Sequence, residues 1–106
     1  MKNGYKVPWH VRQYVKAELM EYNDNKKLIR ACKSNSRAII LTQIRLDKIG
    51  AVFDRLNEED REVAEIIFFA KYTQAGAETA KSVTKAMYYN TMNKVIYLVA
   101  KELDLI

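Results

Sequence analysis

From Met87 to Val99 apolar side chains return every third or fourth residue: Met87, Tyr88, Met92, Val95, Ile96 and Val99. That spacing stacks them on one face of a helix. Asn90, Thr91, Asn93, Lys94 and Lys101 fall largely elsewhere, so the opposite face is polar and positive. Before them lie a short helix-like segment from Ala77 and a polar break at Thr84-Lys85. Short helix, tight turn and an amphipathic helix with a polar, basic first half is the pattern of a helix-turn-helix unit.

Upstream, the same periodicity predicts three longer helices. The first opens at Pro8, because proline is tolerated at the first helical position, where its missing N–H has no partner anyway. Val11, Val15, Leu19, Tyr22 and Ile29 mark its inner face, and it extends to about Lys33. Asn23-Asp24-Asn25 prefer caps and turns to helix interiors, so a kink or break is expected there. Ser34-Asn35-Ser36 stops this helix, and Ser36 caps the next. The second helix, Arg37 to about Leu56, carries Ile40, Leu41, Ile44, Ile49, Val52, Phe53 and Leu56 as its apolar set. Its soft point is Gly50, which costs about 1 kcal/mol relative to alanine in a helix interior. Asn57 caps the third helix, and Glu58, Glu59 and Asp60 in its first turn complement the helix dipole. That helix continues through Val63, Ile66, Ile67 and Ala70 and ends between Tyr72 and Ala75, before Gly76.

These elements predict an all-α fold of four to five helices in one domain, residues 1–106. A long N-terminal helical hairpin (1–56) precedes a C-terminal helix-turn-helix-like part (57–106). At 106 residues, 49% of them apolar, the chain supports one core but not two. One proline and three glycines are too few for a turn-rich β-sandwich or barrel.

Charge changes the picture more than composition does. Up to Gly50, eleven basic residues face four acidic ones, a net of +7; the remainder has seven against nine, a net of −2. The acids of the second half concentrate between Asp54 and Glu65. A basic half suits a polyanionic partner, nucleic acid before membrane, although a solvated lysine-rich helical surface has the same composition. Cys32 and His10 are the only residues of their kinds, so no intrachain disulfide and no zinc site of the usual ligands is expected. With no glycine-rich phosphate loop and no nucleophile–base pair, neither an enzyme activity nor a cofactor is expected. No secretory leader and no long apolar run is visible, which points to a soluble cytoplasmic protein without a membrane partner.

The segment Thr84 to Leu103, TKAMYYNTMNKVIYLVAKEL, resembles the C-terminal helix-turn-helix of phage-encoded transcription regulators of the RinA/ArpU type. These are in turn similar to region 4 of sigma factors. Thr84-Lys85-Ala86-Met87 stand where the family has a Ser/Thr-Arg-Arg-Thr-like start, and Tyr88-Tyr89 where it has paired aromatics. Val95 to Ala100 match its I-I-Y-L-V-A-like end, and Leu56 to Arg61 its acidic approach to the preceding helix. The turn is compact, with only Lys81, Ser82 and Val83 between Ala80 and Thr84, and Lys85 is the one basic residue at the helix start.

The resemblance implies a DNA-binding regulator of phage or prophage late genes that reads duplex DNA with the helix starting near Lys85. Its candidate DNA-contacting residues are Lys81, Thr84, Lys85, Tyr89, Asn90, Asn93 and Lys94. Lysines at such positions contact phosphate, and asparagine amides match the donor–acceptor pair of adenine. Tyr88 and Tyr97 fall with the packing residues, whereas Tyr89 fits either role. Two other classes remain open: a helical module docking on RNA polymerase or another regulator without reading DNA, and a structural phage protein. A homodimer is expected, because a module with one cation at its turn binds weakly alone and gains avidity in pairs.

Overall fold

Four helix starts are closed by a side-chain oxygen that accepts the backbone N–H three residues on: Ser36 from Ile39, Asn57 from Asp60, Thr73 from Gly76 and Thr84 from Met87. Such caps satisfy donors that the first turn leaves without partners. They punctuate a computed structural model that describes residues 5–32 and 36–106. The described residues form α1 (Trp9–Met20), α2 (Tyr22–Ala31), α3 (Arg37–Arg55), α4 (Glu58–Ala64), α5 (Gln74–Lys81) and α6 (Lys85–Glu102). A π-helical stretch, Glu65–Phe69, extends α4; Ala70 N–H closes it by donating to the carbonyl of Glu65, five residues back. The fold is all-helical, and no described helix is long and apolar enough to cross a membrane.

Boundaries differ from the sequence expectation in three places. Pro8 is the residue before α1 rather than its first, although its carbonyl already accepts from Arg12. The first long helix breaks at Glu21 (φ −102°, ψ 4°), just ahead of Asn23-Asp24-Asn25. Asn23 and Asp24 then occupy the opening turn of α2, where short polar side chains are tolerated and an acid suits the dipole. The third helix stops at Phe69, earlier than expected, because Lys71 adopts a left-handed conformation (φ 60°) and Thr73 starts a new helix. Gly76 therefore lies inside α5 instead of ending the helix before it. Of the expected Ser34-Asn35-Ser36 stop, Ser36 caps α3, while Ser34 and Asn35 lie outside the described residues, as do Lys2 and Lys33 of the basic half.

One continuous core joins these helices. Val15, Leu19, Ile49, Val52, Ile67, Phe68, Val95, Ile96 and Val99 are the largest of its fully buried side chains. α6 runs through the middle and packs on α1, α3, α4 and α5. Tyr22 of α2 lies with Phe53 and Phe69 in a stacked aromatic group, ring centroids 5.0–6.3 Å apart. Gly50 lies beside this stack. A Cβ there would stand 2.9 Å from the Tyr22 hydroxyl, so any larger residue requires that ring to shift. At the C-terminal end of α3, Arg61 donates to the carbonyls of Phe53, Asp54 and Leu56 at 3.0–3.2 Å. One guanidinium thus satisfies acceptors that the helix end leaves open.

The expected apolar set of α3 is only partly right. Ile49, Val52, Phe53 and Leu56 are buried and Leu46 joins them, but Ile40, Leu41 and Ile44 are 50%, 50% and 47% exposed. They lie on the side of the helix away from the buried Leu46, Ile49 and Phe53. The radius of gyration, 14.4 Å, is above the roughly 13 Å of a compact chain this long.

Candidate nucleic-acid interface

The surface around the α5–α6 turn gathers most of the polar residues singled out by sequence. α5 ends when Ser82 takes a left-handed conformation (φ 58°, ψ 30°). Both Ser82 and Val83 donate their N–H to the carbonyl of Ala77. Val83 is buried, so the turn is pinned from inside by one apolar side chain. Thr84 then caps α6 through its hydroxyl, which commits that oxygen to Met87 N–H at 3.2 Å.

α6 changes character along its length. In its first two turns Lys85, Ala86, Tyr89 and Asn90 are exposed, while Tyr88, Thr91 and Met92 turn inward. From Val95 onward Val95, Ile96, Val99 and Ala100 are buried, and the outer face carries Tyr97 and Lys101. No acid occupies the first turn of α6, and Lys85 stands at its positive end. A helix N-terminus with a lysine and no acid in its own first turn favours an anion.

The candidate residues meet different fates. Lys85, Tyr89 and Asn90 are exposed, Asn93 is partly covered, and all four sit on one side of α6. Tyr89 meets Tyr88 edge-on at 5.1 Å and is 42% exposed. Lys94 donates to Asp60 Oδ2 at 2.6 Å, holding α6 against the first turn of α4. Lys81 lies with its ammonium 5.6 Å from the centre of the Tyr72 ring, beside a groove lined by Glu62, Glu65, Ile66 and Phe69. Glu59 and Glu62 border the turn itself next to Ser82, Val83 and Met87. The α4 flank of the surface is therefore acidic.

The α1 flank has the other sign, which the sequence alone did not reveal. Tyr5 meets Tyr97 with ring centroids 5.3 Å apart, and Arg12 reaches Met92 Sδ at 3.7 Å. Arg12 of α1 thus lies beside α6, and Lys16 follows it one turn on along α1. Arg12 and Lys16 are spaced i, i+4, a signal visible in sequence; their neighbourhood to α6 is a tertiary fact.

Two groups here have shifted proton affinities. The bond to Asp60 raises the pKa of Lys94, outweighing the opposing effect of partial burial. Burial raises that of Tyr88, whose hydroxyl donates to the carbonyl of Tyr72 at 2.8 Å. Both folded-state values lie above the ordinary 10.5 and 10.0, so the stability they contribute is complete below pH 10. It is lost as pH rises through the raised values. Melting temperatures between pH 9 and 12 are expected to fall more steeply for the wild type than for Tyr88→Phe or Asp60→Asn. Parallel curves would show that neither contact carries the alkaline loss.

No family model, no curated protein and no solved structure matches this chain.

Proposed function

We propose that the chain is a duplex-DNA-binding transcription regulator in which α5, the Ser82–Thr84 turn and α6 act as a helix-turn-helix, with α6 in the major groove. The observation that carries this reading is the split character of α6. Its first two turns offer Lys85, Tyr89 and Asn90 outward, and its second half is anchored in the core. A recognition helix needs this division, because its N-terminal residues reach base edges while the rest fixes its angle. The three-residue turn suits the short connection of such units. Lys85 and the N-terminus of α6, flanked by Arg12 and Lys16 of α1, supply phosphate contacts; Tyr89, Asn90 and Asn93 face the bases. The resemblance to phage regulators of the RinA/ArpU type extends the reading to phage or prophage late genes.

Affinity for a random duplex, measured across a salt series, tests the reading. Each phosphate contact adds about −0.9 to the slope of log affinity against log salt, so a steep loss is expected. Lys85→Ala should reduce that slope by about one and weaken binding to all sequences alike. A flat salt dependence would overturn DNA binding.

A second reading has its own observation. Glu59, Glu62 and Glu65 beside the turn, with the half-buried Ile66 and Phe69, form an acidic, partly apolar groove that a duplex would avoid. That groove suits a basic protein surface such as one on RNA polymerase. Docking there would survive Glu-sparing changes on α6, whereas Glu62→Lys would disrupt it and strengthen DNA binding.

A further inference from the structure

The outer face of α3 carries an apolar stripe that no described residue covers. Ile40, Leu41 and Ile44 are about half exposed there, opposite the buried Leu46, Ile49 and Phe53. Large aliphatic side chains grouped on one exposed helix face mark a contact site. The charges at the two ends of the stripe say which contact. Arg37 lies three residues before Ile40, and Asp47 three residues after Ile44. Each is five residues from Thr42, as Ile40 and Ile44 are each two from it. Ile40 with Ile44, and Arg37 with the oppositely charged Asp47, thus exchange places about Thr42, while Leu41 falls against Gln43. Arg37 also stands in the first turn of α3, where the helix dipole disfavours a cation, and no ion pair involves it among the described residues. Among the described residues Asp47 accepts from the amide of Gln43, through one of its two oxygens, at 2.8 Å, and it borders a groove shared with Tyr22 and Lys26 of α2.

We propose that this face is a two-fold interface with a second copy of the chain. α3 packs antiparallel to the α3 of the other copy about an axis level with Thr42. Ile40 of each copy meets Ile44 of the other, Leu41 lies near the axis, and Arg37 of each pairs with Asp47 of the other. A two-fold contact requires a patch complementary to itself, and this stripe has that property only when the helices are antiparallel. A parallel pair would set arginine against arginine and aspartate against aspartate. One helix crossing buries less than a standard interface, so the dimer is reversible and of about micromolar affinity. This inference does not depend on DNA binding, because assembly is measured without DNA.

Sedimentation equilibrium of the full chain in reducing buffer, from about 1 to 200 μM, tests the interface at the affinity expected for a small contact. The wild type should pass from monomer to dimer across that range. Ile44→Glu should raise the dissociation constant by about tenfold or more, as truncating or charging a central contact does. Arg37→Asp and Asp47→Arg should each weaken the dimer, and the double exchange R37D/D47R should restore it. All these positions are exposed, so circular dichroism should report unchanged helix content, and Ile40→Gln with Ile44→Gln is the milder variant should a charge unfold α3. A wild type that stays monomeric throughout would assign the stripe to a different protein and overturn the proposal. So would Ile44→Glu dimerising like the wild type, or a double exchange no better than its single components.

Discussion

Ile96→Asp is expected to abolish the cooperative thermal transition of the chain. Ile96 is fully buried in α6, within the core that α1, α3, α4 and α6 share. Truncating a buried isoleucine costs about 2–5 kcal/mol. A carboxylate left unpaired in its place adds several kcal/mol more, unless it takes up a proton at further cost. A domain this size has roughly 5–15 kcal/mol in total, so the sum consumes most or all of it. Ile96→Val removes one methylene and should cost only about 0.5–1.5 kcal/mol. Differential scanning calorimetry of both variants checks the contrast. A melt of Ile96→Asp near that of the wild type would mean that the inward face of α6 is wrongly assigned.

Asn90→Ala is expected to remove sequence preference while leaving nonspecific affinity nearly intact. Asn90 is exposed in the second turn of α6, on the outer side it shares with Tyr89 and Asn93. Its side-chain amide can donate and accept toward one base edge at once. The loss of such a bidentate contact costs about 1–3 kcal/mol at a preferred site, or about 5- to 150-fold in affinity. On random DNA no base contact is lost, so the effect there should be small. Parallel substitutions at Tyr89 and Asn93 locate the reading face, with a selected site and a random duplex compared at one salt concentration. Unchanged specificity in all three variants would sink α6 as a reading head and favour docking through the acidic groove.

Much of the helical plan was legible because the signals are local. Ser36 and Asn57 each carry a short side-chain oxygen ahead of an apolar-periodic run, and each caps a helix as such residues do, whereas Thr84, expected to contact DNA, caps α6 as well. The boundary at Thr73 was missed for an equally local reason. Gly76 three residues later looks like a helix terminator, yet its N–H donates to the Thr73 hydroxyl as well as any other residue's would. The turn conformation of Lys71 was not readable, because a lysine with positive φ has no compositional mark.

The candidate surface was legible as a list of polar residues, not as a charge distribution. Asn90 is outward because helix phase sets it opposite Tyr88, Met92 and Val95, whereas Lys85 and Tyr89 share the phase of the buried Met92 and Ile96 and are exposed only because they sit in the first turns of α6. Lys94 looked the same by spacing, but a partner 34 residues away in sequence takes it up. The acids from Glu59 to Glu65 were visible as a helix-starting run, and their place beside the turn was not.

By itself the sequence determined the all-helical class, the caps at Ser36 and Asn57 and the apolar side of α6, since each depends on residues within a turn or two of one another. Only the tertiary structure decided which apolar faces are covered. α3 is apolar on two sides, and periodicity ranks both alike. The core takes Leu46, Ile49 and Phe53 because α2 and α6 lie on that side, and it leaves Ile40, Leu41 and Ile44 outside. Burial is a relation between helices, and no spacing within one helix encodes where its neighbours stop.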